Sequence, residues 1–250
     1  MYKMIRGKVT DEQKENILRC KKFYDAVKLY YMKDNERLAV FYSNFHSFKR
    51  TPNERFAEFE EILSVNPNAA ELRESFQKEF YLFDQISNEI LIKLYGNSKR
   101  KLMQCGFIET VPGNFSQIYH YDFECNTENI FIPLCELTDL NGTELIDFEN
   151  MVSKCRDINA TIRDDGVRKI SDFNILKEHL SSYHDVKEVK QRFVNCQPFD
   201  IIQLPYYQLH RAQENRGGYN RVMFHICSTD QVDYDFDLQS NHDMFIKETY

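Results

Sequence analysis

The sequence predicts a mainly β chain with helical additions, a barrel-like β core flanked by N-terminal helices. Three observations lead there. Residues 1–96 carry apolar side chains at helical spacing between helix-start signals. Short β-rich runs divided by turn residues fill 105–145, and the β pattern returns after Cys196 and ends near Cys227. Within that last part, 204–227 (LPYYQLHRAQENRGGYNRVMFHIC) places His210 and Arg221 where strands would otherwise be apolar.

The helical region is justified by its punctuation. Thr10 with Gln13 forms a capping-box pattern, followed by Ile17, Phe23, Val27 and Tyr30 at roughly helical steps. Thr51-Pro52-Asn53-Glu54 is a second start: a cap, a proline at the first helical position and an acid three residues after the cap. Asn66-Pro67 is a third. From there Leu72, Phe76, Phe80, Phe83, Ile86, Ile90 and Leu94 step by three or four residues, and Gly96 stands where a C-terminal stop belongs. A stripe that long needs a broad surface to cover, and the face of a β-sheet is the natural one.

The β region is expected at 107–111, 117–123 and 130–137, separated by Pro112-Gly113-Asn114, Asn126 and Asn141-Gly142. Residues 148–195 turn polar and helix-leaning, as an insertion between two halves of the β-structure. After it, 201–209 and 221–227 read as strands joined by a Gly-rich turn at 214–219. Alternation puts Arg221, Met223 and His225 on one face and Val222, Phe224 and Ile226 on the other. The expected organisation is a helical region at 1–98, a β core at 99–236 with its insertion at about 148–195, and a tail at 237–250.

Composition narrows the function. Lys and Arg number 32 against 39 Asp and Glu, a net charge of −7, which argues against a generic phosphate-binding surface and against nucleic acid as partner. The seven cysteines (20, 105, 125, 135, 155, 196 and 227) are scattered and include no C-x-x-C, as expected of a reduced, cytoplasmic chain. No stretch is apolar enough for a membrane span or an N-terminal leader. Nothing in the composition fixes an oligomeric state.

Chemistry concentrates at two places. A buried Arg221 needs a partner of opposite charge, which points to an anionic ligand, and His210 beside it points to a metal. Upstream, His120-Tyr121-Asp122 presents an imidazole and a carboxylate from positions i and i+2, on one side of a strand. Alone such a pair is most simply a surface hydrogen bond. With a distant His210 it would complete a two-histidine, one-carboxylate set, which leaves coordination positions open for non-haem Fe(II) and O₂ chemistry. His46, His179, His184 and His242 lie in polar text and read as solvated, as does Arg216 in the turn; His225 fits a satisfied core histidine equally well.

The text HYDFECNTENIFIPLCELTDLNGTELI, beginning at His120, resembles the Fe(II)/2-oxoglutarate-dependent oxygenases, specifically their phytanoyl-CoA dioxygenase-like branch. In that branch a His-x-Asp precedes an I-P-L strand and an Asn-Gly turn. The later text CQPFDIIQLPYYQLHRAQENRGGYNRVMFHI resembles the closing strands of the same family, including a His-Arg-Ala and an arginine 11 residues after the histidine. The resemblance implies a double-stranded β-helix, the jelly-roll or cupin-like fold. It implies that His120, Asp122 and His210 bind Fe(II) and that Arg221 holds the C5 carboxylate of 2-oxoglutarate. O₂ and a small-molecule substrate would be the other reactants, with succinate and CO₂ released. Aspartate at the middle ligand position, where related halogenases carry Gly or Ala, points to hydroxylation of a small polar metabolite. Two positions often serine in relatives are Ala212 and Met223 here, so a second partner for the carboxylate is expected from Tyr119 or Tyr207. The competing expectations are a jelly-roll that binds a ligand or partner without catalysis, and a helical interaction protein with a β scaffold.

Overall fold

The computed structural model describes residues 2–31, 73–96, 100–113, 116–117, 119–121, 126–149, 151, 172–183, 186 and 188–230. Among them are eight strands and three helices. The chain folds as two compact units, one of residues 1–6 with 111–221 and one of 7–110 with 222–250. This division differs from the expected 1–98 and 99–236. Strand β2 (Lys101–Thr110) and nearly all of strand β8 (Arg221–Thr229) go with the helices, because they supply the surface those helices bury.

In the helical unit, α1 (Asp11–Tyr31) begins at the expected box: the Gln13 amide N–H donates to Thr10 Oγ1 at 3.2 Å and the Thr10 N–H to Gln13 Oε1 at 3.1 Å. Helix α2 (Arg73–Tyr95) ends at Gly96, whose φ of +68° is the left-handed conformation that favours glycine. Ile17, Cys20 and Tyr24 of α1 and Phe83, Ile86 and Ile90 of α2 are buried, and the two helices pack on each other. Strands β2 and β8 are neighbours. Phe83 and Tyr24 meet Phe107 of β2 with ring centroids 5.7 and 5.4 Å apart, and Phe224 of β8 lies 5.3 Å from Phe107. Aromatic pairs at such separations add about 0.5–1.5 kcal/mol each beyond the area they bury. The expected start at Thr51-Pro52 and the tail at 237–250 lie outside the described residues. No described helix is long and apolar enough to cross a membrane.

The other unit holds antiparallel sheets. Strand β1 (Lys3–Ile5) pairs with β6 (Ile201–Pro205), which pairs in turn with β3 (Thr127–Pro133). A second sheet has the order β5-β4-β7, with β4 at Thr143–Asp147, β5 at Lys190–Val194 and β7 at Leu209–Ala212. Strand β1 departs from the expectation of a helical N-terminus. Strands β4 and β5 are also new: β5 falls inside the polar stretch expected to be helical, of which α3 (Phe173–Ser181) is the described helix. Four of the five β5 side chains are exposed, so its text carries no apolar period to read. The closing text is not the expected hairpin either. The 201–209 run breaks at Tyr206–Gln208, so β6 joins one sheet while β7 joins the other.

Candidate active site

The three-stranded sheet has two faces, and alternation sorts its residues between them. His120 makes an isolated antiparallel bridge to His210 of β7, exchanging N–H···O bonds of 2.9 and 3.1 Å. Bridged partners point the same way, and the two imidazole centroids lie 4.7 Å apart. Across β7, His210 faces Leu145 of β4, and Leu145 faces Arg192 of β5. His120, His210, Leu145 and Arg192 therefore form one row on one face. His210 is buried, and its Nδ1 lies 3.0 Å from the carbonyl oxygen of Gln208. A carbonyl only accepts, so Nδ1 carries the proton and the lone pair sits on Nε2, the tautomer a metal ligand needs. Asp122 lies outside the described residues. Among the described residues, no group of three or more His, Cys, Asp or Glu side chains is placed to hold a metal ion.

Arg221 opens β8 and is the largest fully buried side chain among the described residues. Its Nη1 donates to the carbonyls of Asn141 and Gly142, both at 3.1 Å. Those two bonds take two of the five N–H groups of a guanidinium. Burial pulls the Arg221 pKa down to about 10, with Cys135 opposing, so the group stays charged at neutral pH. The Asn-Gly turn it grips is built for close approach. A Cβ on Gly142 would stand 2.6 Å from the Thr138 carbonyl oxygen and 2.8 Å from that of Val194, both backbone atoms. Asn141 Oδ1 accepts from the Thr138 N–H at 2.8 Å while its Nδ2 donates to Glu136 O at 3.1 Å. The loop before β8 closes on the same turn, with the Arg216 N–H donating to Leu140 O at 2.9 Å and the Tyr219 hydroxyl to Glu136 O at 3.1 Å. Arg221 is thus a clasp on this turn, a role the sequence reading did not assign to it.

Tyr119 and Tyr207 go elsewhere than expected. Tyr119 precedes His120 by one residue and so points to the opposite face. There its hydroxyl donates to Glu144 Oε1, Gln191 Nε2 donates to the same oxygen at 2.6 Å, and Arg211 Nε donates to Oε2 at 2.8 Å. The Arg211 guanidinium also lies over the Tyr119 ring, 4.2 Å from its centroid. Burial, and then the bond to Glu144, pushes the Tyr119 phenol well above its ordinary pKa. Tyr119 belongs to an apolar cluster with Tyr121, Ile146, Leu209, Leu176 and Leu180, and Tyr207 packs against that cluster. Neither tyrosine therefore shares the histidine row. The sequence reading passed over Glu144 and Arg211, although two opposite charges in apolar strand text were a signal of the same kind as Arg221. His179, expected on the surface, is partly buried, with its ring edge-on to Tyr183 at 5.8 Å.

No protein-family model matches the chain, and no curated protein does. Among solved structures it is similar to SnoN, a non-heme alpha ketoglutarate dependent epimerase from nogalamycin biosynthesis, at 10% identity over 92% of this chain and 78% of that one, with a TM-score of 0.44. It is similar to SnoK, a non-heme alpha ketoglutarate dependent carbocyclase of the same biosynthesis, at 13% identity over 59% of this chain and 54% of that one, with a TM-score of 0.38. HygX from Streptomyces hygroscopicus, with nickel and 2-oxoglutarate bound, gives 8% identity, 62% and 68% coverage and a TM-score of 0.41. The chain spans 54% of SnoK and 30% of another similar structure, EvdMO1.

Proposed function

We propose that this chain is an Fe(II)/2-oxoglutarate-dependent oxygenase on a double-stranded β-helix, oxidising a small polar metabolite, most simply by hydroxylation. The observation that carries the reading is the His120–His210 bridge: two imidazoles far apart in sequence share one face, and His210 has its ligating tautomer fixed by Gln208. The traffic of β3, β4, β5, β6 and β7 between two antiparallel sheets supports the fold. The residues fit the metal in donor type: imidazole and carboxylate suit ferrous iron, and a carboxylate two residues after His120 is what Asp122 would supply. Iron held by such a set supplies open positions for 2-oxoglutarate and O₂.

The protein's own residues would do the rest. The Gln208 carbonyl holds the His210 ring in orientation, as an outer partner does for a ligating histidine. Arg221 would receive the C5 carboxylate through its planar donor fork, which a lysine matches in charge but not in geometry. Its grip on Asn141 and Gly142 fixes where that fork stands.

Anaerobic titration with Fe(II), followed by 2-oxoglutarate, tests the reading. One equivalent of iron should bind, and Arg221→Lys should raise the 2-oxoglutarate requirement at least about tenfold, the loss of one charge-assisted bond, with iron binding kept. Lysine is preferred to leucine because leucine would also strip the two turn carbonyls of their donor. Failure to bind iron would leave a jelly-roll that binds a ligand without catalysis.

A further inference from the structure

Three segments far apart in the sequence meet around a cavity of about 450 Å³ in the unit of residues 1–6 and 111–221. Arg6 follows β1 directly, Glu136 and Asp139 lie in the stretch after β3, and Asn195 and Gln197 in the stretch after β5. His120, His210 and Arg221 do not line it. The backbones of all three segments are tied down. Leu137 and Cys196, which also line the cavity, exchange N–H···O bonds of 2.9 and 3.0 Å. The Thr138 N–H donates to Asn141 Oδ1 at 2.8 Å, and the Gln197 N–H to Asp200 Oδ2 at 3.0 Å. Ile5, next to Arg6, pairs with Ile201 of β6. The polar side chains are left unspent. Among the described residues the Arg6 guanidinium, the Asp139 carboxylate and the Asn195 amide take no hydrogen-bond or ion-pair partner. The Glu136 carboxylate receives only the neutral Gln197 amide, at 2.9 Å. One cation and two carboxylates therefore border a single cavity without pairing with one another.

We infer that this cavity binds a small basic amino acid, with its carboxylate on Arg6 and its two cationic groups on Glu136 and Asp139. A simple ion would match one of the three charges and leave the others. A molecule with one carboxylate and two cationic groups matches them one for one. The guanidinium can take a carboxylate through two parallel bonds, and Asn195 and Gln197 bring amide donors and acceptors to the same cavity. Fixed backbones lower the cost of ordering these groups around a ligand. The volume falls within the range of small-molecule pockets, about 300–1,000 Å³. The acidic balance of the chain, 39 Asp and Glu against 32 Lys and Arg, favours the approach of a net cation. Arg6, Glu136 and Asp139 are exposed, so water screens each contact, and the dissociation constant should be on the order of 1 mM. The site goes beyond the oxygenase reading, since iron and 2-oxoglutarate take no part in it.

NMR titration of the isotope-labelled full chain with L-lysine, at roughly 150 mM salt, tests this. Saturable shifts should gather at the backbone amides of 136–139 and 195–197. Acetate, glycine and cadaverine each lack at least one of the three charges and should bind at least about fivefold more weakly. Arg6→Gln should remove the advantage of L-lysine over cadaverine, whereas Asp139→Asn and Glu136→Gln should weaken both. All three side chains are exposed, so the melting temperature should be kept; if one variant failed to fold, the other two would carry the test. Equal binding of L-lysine and cadaverine by the wild type, shifts spread over the whole surface, or folded variants that bind L-lysine unchanged would overturn the inference.

Discussion

The two faces of the β5-β4-β7 sheet are made from the same short strands and end their charges in opposite ways. On the tyrosine face, Glu144 is completely buried and receives donors from Arg211, Gln191 and Tyr119. On the histidine face, Asp147 Oδ2 meets Arg192 Nη2 at 2.8 Å, and that arginine's side chain is 45% exposed. The difference teaches how burial sets the partners a charge needs: a fully buried carboxylate takes several donors at once, whereas one at the end of the sheet is matched by an arginine that stays half in water.

The largest break in that comparison should come from the tyrosine face. Glu144→Ala would remove the buried carboxylate to which Arg211, Gln191 and Tyr119 all donate and should cost about 3–5 kcal/mol in urea denaturation. A loss under about 1 kcal/mol would mean that the network is not closed. His210→Ala on the histidine face should cost only about 1 kcal/mol, since its backbone bonds to His120 remain. Yet it should lower Fe(II) affinity at least tenfold by anaerobic titration; equal loss of stability and affinity would erase the contrast between the faces.

The smallest effect tests neither face and serves as a control. Cys196 bridges to Leu137, and burial, followed by Asp200 and Cys135, raises its thiol from 9.0 to about 12. The thiolate is the reactive form, so at pH 8 folded protein should resist alkylation at Cys196 while urea-unfolded protein reacts. A raised acid pKa stabilises the fold fully below the unfolded value, so this contribution should fade between pH 9.0 and about 12. Rapid labelling of the folded chain at pH 8 would show that the 137–196 bridge opens.

The parts legible in the sequence were those written locally. The Thr10–Gln13 box, the stripe of Phe83, Ile86 and Ile90, and the stop at Gly96 stand where spacing put them, because caps and helical faces depend on residues three or four apart. The sequence reading expects His120, Asp122 and His210 at one site; the structure bridges the two histidines, and Asp122 lies outside the described residues. Strand partners were not legible. The run from Ile201 to Leu209 reads as one strand, and only the hydrogen bonds of Tyr206 to Thr127 and of Gln208 to Pro205 show where it turns from one sheet to the other. Strand β5 was hidden because one sequence looks the same whether an exposed strand is paired or not. Tyr119 does not share the face of its neighbour His120, because adjacent residues of an extended chain face apart.

By itself the sequence determined which residues could do chemistry: an Arg and a His in apolar strand text, a His-x-Asp, an Asn-Gly turn. Burial is costly for such groups wherever the chain puts them, so their presence already demanded partners. Which partners they found was decided only in three dimensions. Arg221 took two carbonyls of a turn some 80 positions earlier, Glu144 took Arg211, and Gln208 turned one end of its amide to Ile146 and left the other open. Hydrogen bonds are satisfied by proximity and direction, and neither is written in the order of residues along a chain.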